Sequence, residues 1–261
     1  MSGEYLKCGL SVRRQVVGVG AERFLMDVPE PEDLLARTLQ SESAASTDAD
    51  LGSDPYWGVL WPASVATAAL IPRVFSDSAE GRSMRILELG CGLGLCGLAV
   101  LRIGFSVTFT DIVPMAVELA RHNAALNGFS GTEGAVLDWC RPIPAELMTP
   151  GKTIDKTSPS GFDRVIAGDV LYDVSLHQPL LKSFNALINA NGRVIIGDPG
   201  RQAAAHFIES ARCCGWQIDV YDEAYSVMPA PRCGGYQLLI LTRAENSVTT
   251  ADIQQQSLHH Q

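Results

Sequence analysis

Segment 85–97, RILELGCGLGLCG, narrows what this chain can fold into more than any other stretch of it. A short apolar run passes into glycines at alternate positions, then into apolar residues at helical spacing. That order predicts a strand, a tight turn and a helix in immediate succession. Gly90, Gly92 and Gly94 let the backbone bend sharply and leave no β-carbon between the main chain and a bound molecule. Glu88 sits within the strand just ahead of the bend, and its carboxylate is expected to point into the crevice that the bend opens.

Beyond this segment strand and helix alternate, which predicts a parallel sheet with right-handed crossovers. Strands are expected at 106–110, 134–137, 162–168, 192–197, 217–221 and 236–242, and helices at 62–75, 114–126, 176–188 and 201–214. The last two strands follow one another without a helix, so they read as a hairpin that makes one edge antiparallel. The fold class is therefore α/β: a doubly wound, mostly parallel seven-stranded sheet with an antiparallel C-terminal hairpin edge, plus an N-terminal hairpin/helix extension. The extension, residues 1–54, contains a hairpin turning at Gly20-Ala21, a short helix from Pro31 to Gln40 and a mobile acidic loop from Ser41 to Asp54. It carries too little core to stand alone. Residues 55–243 form the main domain, with 140–161 as a surface insertion, and 244–261 read as a disordered tail.

A chain of 261 residues has room for one well-buried α/β domain, and two would be tight. Its net charge of −9 argues against a general nucleic-acid or anionic-membrane binder. No apolar run is long enough to span a bilayer, and the first residues lack a signal-peptide pattern. Seven cysteines are scattered with no C-x-x-C pair, so no metal site is expected and a reducing, cytoplasmic setting follows.

Two kinds of nucleotide-like cofactor suit the glycine bend. Gly92, Gly94 and Gly97 satisfy G-x-G-x-x-G, in which helix-terminal amides hold the pyrophosphate of a nicotinamide dinucleotide. The register E-x-G-x-G-x-G, from Glu88 to Gly94, instead suits a ligand with no phosphate and a cationic amino-acid end, S-adenosylmethionine. A bend serving only strand-to-helix packing is the bland alternative. Asp111, at the end of the second strand, can accept hydrogen bonds from ribose hydroxyls under either cofactor reading. Asp138 can take an adenine amino group and Trp139 can pack on the ring, or Trp139 is sheet-edge core. Upstream, Trp57 and Trp61 frame an aromatic stretch that either covers the sheet edge or closes over the cofactor.

Taken in order, Glu88-Leu89-Gly90-Cys91-Gly92-Leu93-Gly94, Asp111, Asp138-Trp139 and Asp169-Val170-Leu171-Tyr172 resemble the seven-β-strand S-adenosylmethionine-dependent methyltransferases. D-x-x-Y after the fourth strand, with Trp57 to Pro62 upstream, is similar to the protein-lysine methyltransferase branch that includes the electron-transfer-flavoprotein β-subunit enzymes. The resemblance implies cofactor contacts from Trp61, Gly90, Cys91, Gly92, Asp111, Trp139 and Gly168, beside the motif residues Glu88, Gly94 and Asp138. It implies that Asp169 and Tyr172 face a substrate amine; from spacing alone, a helix cap and a core aromatic are the alternative. The implied partner is a protein bearing a target lysine, met by a monomer. A small-molecule amine is the nearest alternative and a nicotinamide-dependent oxidoreductase the more distant one. The resemblance also poses a chemical difficulty. A carboxylate such as Asp169 attracts a lysine ammonium but favours its charged form, whereas methyl transfer needs the neutral amine.

Overall fold

The computed structural model describes residues 4–5, 9–43, 55–76, 84–148 and 161–243. At the N-terminus β1 (Glu4–Tyr5), β2 (Ser11–Val19) and β3 (Glu22–Pro29) form a three-stranded antiparallel sheet in that order, followed by α1 (Pro31–Ser43). The hairpin turns at Gly20, whose φ of 58° is the left-handed conformation a tight turn requires. Helix α1 continues three residues past Gln40 into the stretch read as a loop; the rest of that loop, like the C-terminal tail, lies outside the described residues.

Next come a single 3-10 turn (Pro55–Gly58), α2 (Pro62–Val74), β4 (Ile86–Leu89), α3 (Leu95–Arg102), β5 (Val107–Asp111), α4 (Pro114–Leu126) and β6 (Glu133–Val136). The insertion holds one short helix, α5 (Ala145–Met148), before residues outside the description. The chain then runs through β7 (Phe162–Gly168), a 3-10 turn (Val174–Leu176), α6 (His177–Leu187), β8 (Ile188–Asp198), α7 (Gln202–Cys213), β9 (Trp216–Tyr221), β10 (Val227–Met228) and β11 (Gln237–Arg243). These strands make one sheet in the order β10-β9-β11-β8-β7-β4-β5-β6, parallel from β8 to β6 and antiparallel from β8 to β10. The seven expected strands are all present, and β10 adds a two-residue strip at the antiparallel edge. Strand β8 starts at Ile188, earlier than the apolar run at 192 suggests, because the C-cap residue of α6 passes straight into extended backbone (ψ 140°).

Period-two alternation sorts the sheet residues onto two cores. Ile86, Phe109, Ile166, Ile195 and Ile240 pack with α2, α3 and α4, and with Phe24 and Met26 of the N-terminal sheet. Leu87, Leu89, Val165, Val194 and Leu239 pack on the other face with Leu180 and Phe184 of α6 and Phe207 of α7. The N-terminal sheet thus shares a core with the main domain. Its outer edge is held as well. At the C-cap of α4, Asn127 accepts from the Leu25 amide (3.0 Å) and donates to the Leu25 carbonyl (2.7 Å), as a neighbouring strand would. One turn earlier Asn123 does the same for Asp27 (2.8 and 3.3 Å). Asp27, 1% exposed, is further fixed by Arg14 (2.8 Å) and His122 (2.7 Å).

Strand order reverses at β4: β5 and β6 lie to one side, β7 and β8 to the other. The carboxyl ends of β4, β5 and β7 therefore open onto one crevice, the place where ligands bind in open α/β sheets.

Candidate cofactor and substrate site

That crevice is a cavity of about 610 Å³. Gly90, Gly92 and Gly94 take left-handed φ values of 65°, 49° and 81° as the chain turns from β4 into α3. A β-carbon on Gly90 would sit 3.1 Å from Val170 and 3.4 Å from Trp139; one on Gly92 would sit 2.8 Å from the Trp57 carbonyl oxygen. The bend is thus bare backbone because aromatic and apolar walls close on it from both sides.

Of the residues singled out from the sequence, the cavity brings together Trp61, Gly90, Cys91, Gly92, Asp111, Asp138, Trp139, Gly168, Asp169 and Tyr172. Asp111 ties two turns together, accepting from the Gly92 amide (2.9 Å) and the Val113 amide (3.0 Å). Burial pushes its carboxyl up, and those amides pull it back only in part. Asp138 accepts from the Cys140 amide (2.8 Å) and lies 3.2 Å from Arg141. Trp61 donates its ring N–H to the Tyr56 carbonyl (3.0 Å) and packs edge-on against that tyrosine ring. Gly168 lets α2 approach β7, since a β-carbon there would be 2.8 Å from Ser64 Oγ.

Glu88 and Gly94 are placed differently, and the expectation for them is corrected. Neither lines the cavity. Alternation along β4 turns Glu88 onto the same face as Ile86, beneath α3, where it is 3% exposed. There Oε2 accepts from the Gly97 amide (2.8 Å). Helix α3 begins at Gly94, whose lack of a side chain leaves the first amides uncapped, and Glu88 supplies the missing acceptor from the strand below. Burial pushes its carboxyl up to about 8 against the pull of the Gly97 and Cys96 amides, so it is mainly neutral at pH 7. Gly94 serves packing: a β-carbon there would meet Ala120 of α4 at 2.7 Å.

Buried beneath α3, Glu88 does not bear on whether the crevice accepts a pyrophosphate; the charge of the cavity wall does. Among the described residues lining the cavity, three are aspartates, and Arg201 is the one lysine or arginine. That arginine is already bound to Asp169, and the Gly92 amide is taken by Asp111. Such a wall suits a cationic or uncharged nucleoside and offers little to a diphosphate. S-adenosylmethionine fits it: bare glycine backbone, acids at the ends of β5 and after β6, and indoles at either side.

Asp169 follows β7 at φ 63°, a conformation that costs a non-glycine residue about 1–2 kcal/mol. Its amide donates to the Gly197 carbonyl (2.8 Å), and its side chain accepts from Arg201 through both Nε (2.9 Å) and Nη2 (2.7 Å). Burial raises its carboxyl more than Arg201 lowers it. Tyr172, 55% exposed, stands on the cavity rim with Tyr56, 60% exposed. Sequence reasoning treated Arg201 only as the start of a helix. The available signal was Asp198-Pro199-Gly200, a turn at the carboxyl end of a strand, which is where an α/β sheet places its working residues.

Sheet order, bare glycine bend and strand-end acids define the class: Rossmann-like methyltransferases that take their methyl group from S-adenosylmethionine. The chain belongs to the lysine methyltransferase family, whose model matches residues 48–212. It is 31% identical over 150 residues to the electron transfer flavoprotein beta subunit lysine methyltransferase of Danio rerio, covering 57% of this chain and 51% of that protein. To the Rattus norvegicus protein of the same name it is 32% identical over 183 residues, covering 69% and 61%. The chain thus spans between half and two thirds of the length of these relatives. In fold it is similar to a putative RNA methyltransferase from Pyrococcus horikoshii, with a TM-score of 0.51 at 13% identity over 81% of this chain and 98% of that one.

Proposed function

We propose that this protein transfers a methyl group from S-adenosylmethionine to the side-chain amine of a lysine in a protein. The observation that carries the reading is Asp169: a carboxylate forced into the cavity wall at positive φ, with Tyr172 on the rim beside it. The names of the relatives support the same reading. S-adenosylmethionine supplies an electrophilic methyl on a sulfonium. Asp111, Asp138 and Trp139 would hold its nucleoside, and the Gly90–Gly92 backbone with Trp57 and Trp61 would enclose the remainder. Asp169 orients the incoming amine, and Tyr172 offers a hydroxyl to it. Burial among Trp57, Trp61 and Trp139 excludes water and disfavours the charged form of the amine. A rim with two exposed tyrosines leaves room for a side chain presented by another protein. The described cysteines are free thiols, which supports a reducing, cytoplasmic setting.

Incubation with methyl-labelled cofactor and cell lysate tests the reading. Label on lysine in precipitated protein, located by mass spectrometry, is expected; label confined to small molecules, or none, overturns it. Asp169→Ala is expected to keep cofactor binding by calorimetry and lose transfer at least ~100-fold, the scale on which misplacement of a reacting group acts.

A further inference from the structure

The Asp169–Arg201 pair resolves a conflict in the proposed chemistry. A lone carboxylate facing a lysine holds the amine and its proton together, and the ammonium must release that proton to solvent before its lone pair can attack a methyl group. In this structure the two tasks are separated. Arg201 places both of its contacts, Nε at 2.9 Å and Nη2 at 2.7 Å, on Oδ1 of Asp169. Oδ2 makes no hydrogen bond among the described residues, so it remains to accept from a substrate.

Arg201 is itself held for this purpose. Asp198, at the end of β8, accepts from the Gly200 amide (2.7 Å) and the Arg201 amide (2.9 Å) through Oδ1, which also accepts from Gln237 on β11 (3.1 Å). The turn leaves Arg201 in extended backbone at the N-cap of α7, with its guanidinium directed back over β7. A run of hydrogen bonds, from the Gln237 side chain to Asp198, from Asp198 to the Arg201 amide and from the Arg201 guanidinium to Asp169, thus leads from the antiparallel part of the sheet to the cavity.

We propose that Arg201 is a positioning residue that offsets the charge of Asp169, so that the site grips a lysine amine without locking it in its protonated form. This inference rests on the reading of the site given under Proposed function. The other ionisable groups around the pair among the described residues are Asp198 behind it, Asp111, Asp138, Cys91, Cys140, Tyr56 and Tyr172 on the cavity wall, and His177 behind Leu171. Among the described residues, none of the neighbours on the wall is a cation that could replace Arg201.

The test pairs binding with turnover. In Arg201→Gln, an uncompensated Asp169 should bind n-butylammonium, a probe for the lysine side chain, several-fold more tightly by calorimetry near neutral pH. The gain should vanish in the Arg201→Gln/Asp169→Asn double variant. Single-turnover transfer to the protein labelled in the lysate assay should fall about tenfold at neutral pH and recover at higher pH, its midpoint raised by about one unit. Arg201→Lys, which keeps the charge, should stay near the wild-type midpoint. Weaker n-butylammonium binding together with an unmoved pH midpoint in Arg201→Gln would make the arginine a mere brace and overturn the inference. So would a full midpoint shift in Arg201→Lys. If the wild-type protein labels no lysine, the functional reading itself has failed. If it does and Arg201→Gln behaves as a brace, only this inference falls.

Discussion

A neutral carboxyl under the first crossover helix makes stability depend on pH in a direction opposite to that of most acids. Glu88 is 3% exposed and titrates near 8 in the fold, against an ordinary value of 4.5. Between those values the unfolded chain has released this proton and the folded chain has kept it. Stability is therefore fully present at low pH and is lost as pH rises through the folded value. The span from 4.5 to about 8, at ~1.4 kcal/mol per pH unit, amounts to roughly 5 kcal/mol for this one group. Glu88→Gln keeps an oxygen for the Gly97 amide and removes the titration. Urea unfolding of both proteins at about pH 5, about pH 6.5 and about pH 8.5 isolates the effect, since every other titrating group is common to the two. The stability of the variant relative to wild type should climb by several kcal/mol across the series, as steeply per pH unit between the lower and middle pH as above it, and level off once pH passes the folded value. A difference that stays flat within about 1 kcal/mol would refute the reasoning and imply that Glu88 is ionised under α3.

The glycine bend and the asparagine clasp give two further tests. Gly92→Ala places a β-carbon 2.8 Å from the Trp57 carbonyl at a φ of 49°, so the aromatic stretch must move; calorimetry should show S-adenosylmethionine affinity lowered by about tenfold or more, ~1.4 kcal/mol. Asn123→Ala strips partners from the buried Asp27 amide and carbonyl and from the Leu93 carbonyl, and chemical denaturation should show a loss of roughly 2–4 kcal/mol. Asn127→Ala, at a half-buried position, should cost less, on the order of 1–2 kcal/mol, in the same assay.

The long strands and helices are legible because each stands on a local signal: an apolar run, a glycine turn, a proline at a first helical turn; the short β1, α5 and β10 carry none and are not. Ile86–Leu89 and Phe162–Gly168 need no tertiary information to be read. What escaped depends on neighbours distant in sequence. The direction of the Glu88 side chain follows from which face of β4 α3 covers, and from a cap that Gly94 cannot provide. The part played by Arg201 depends on β8 lying beside β7, an adjacency created by the sheet order. The left-handed backbone of Asp169 is equally silent in sequence, because aspartate adopts many other conformations and here the Gly197 carbonyl and Arg201 impose this one. The N-terminal hairpin announced itself, whereas its attachment through Asn123 and Asn127, about a hundred residues away, did not.

Helix α4 touches two places at once. Its first turn follows the Val113 amide that Asp111 binds beside the cavity, and its last turns grip the outer strand of the N-terminal sheet. One rigid element about 20 Å long thus serves both places. The N-terminal sheet is therefore built into the same frame that fixes the acid at the end of β5, not hung beside it.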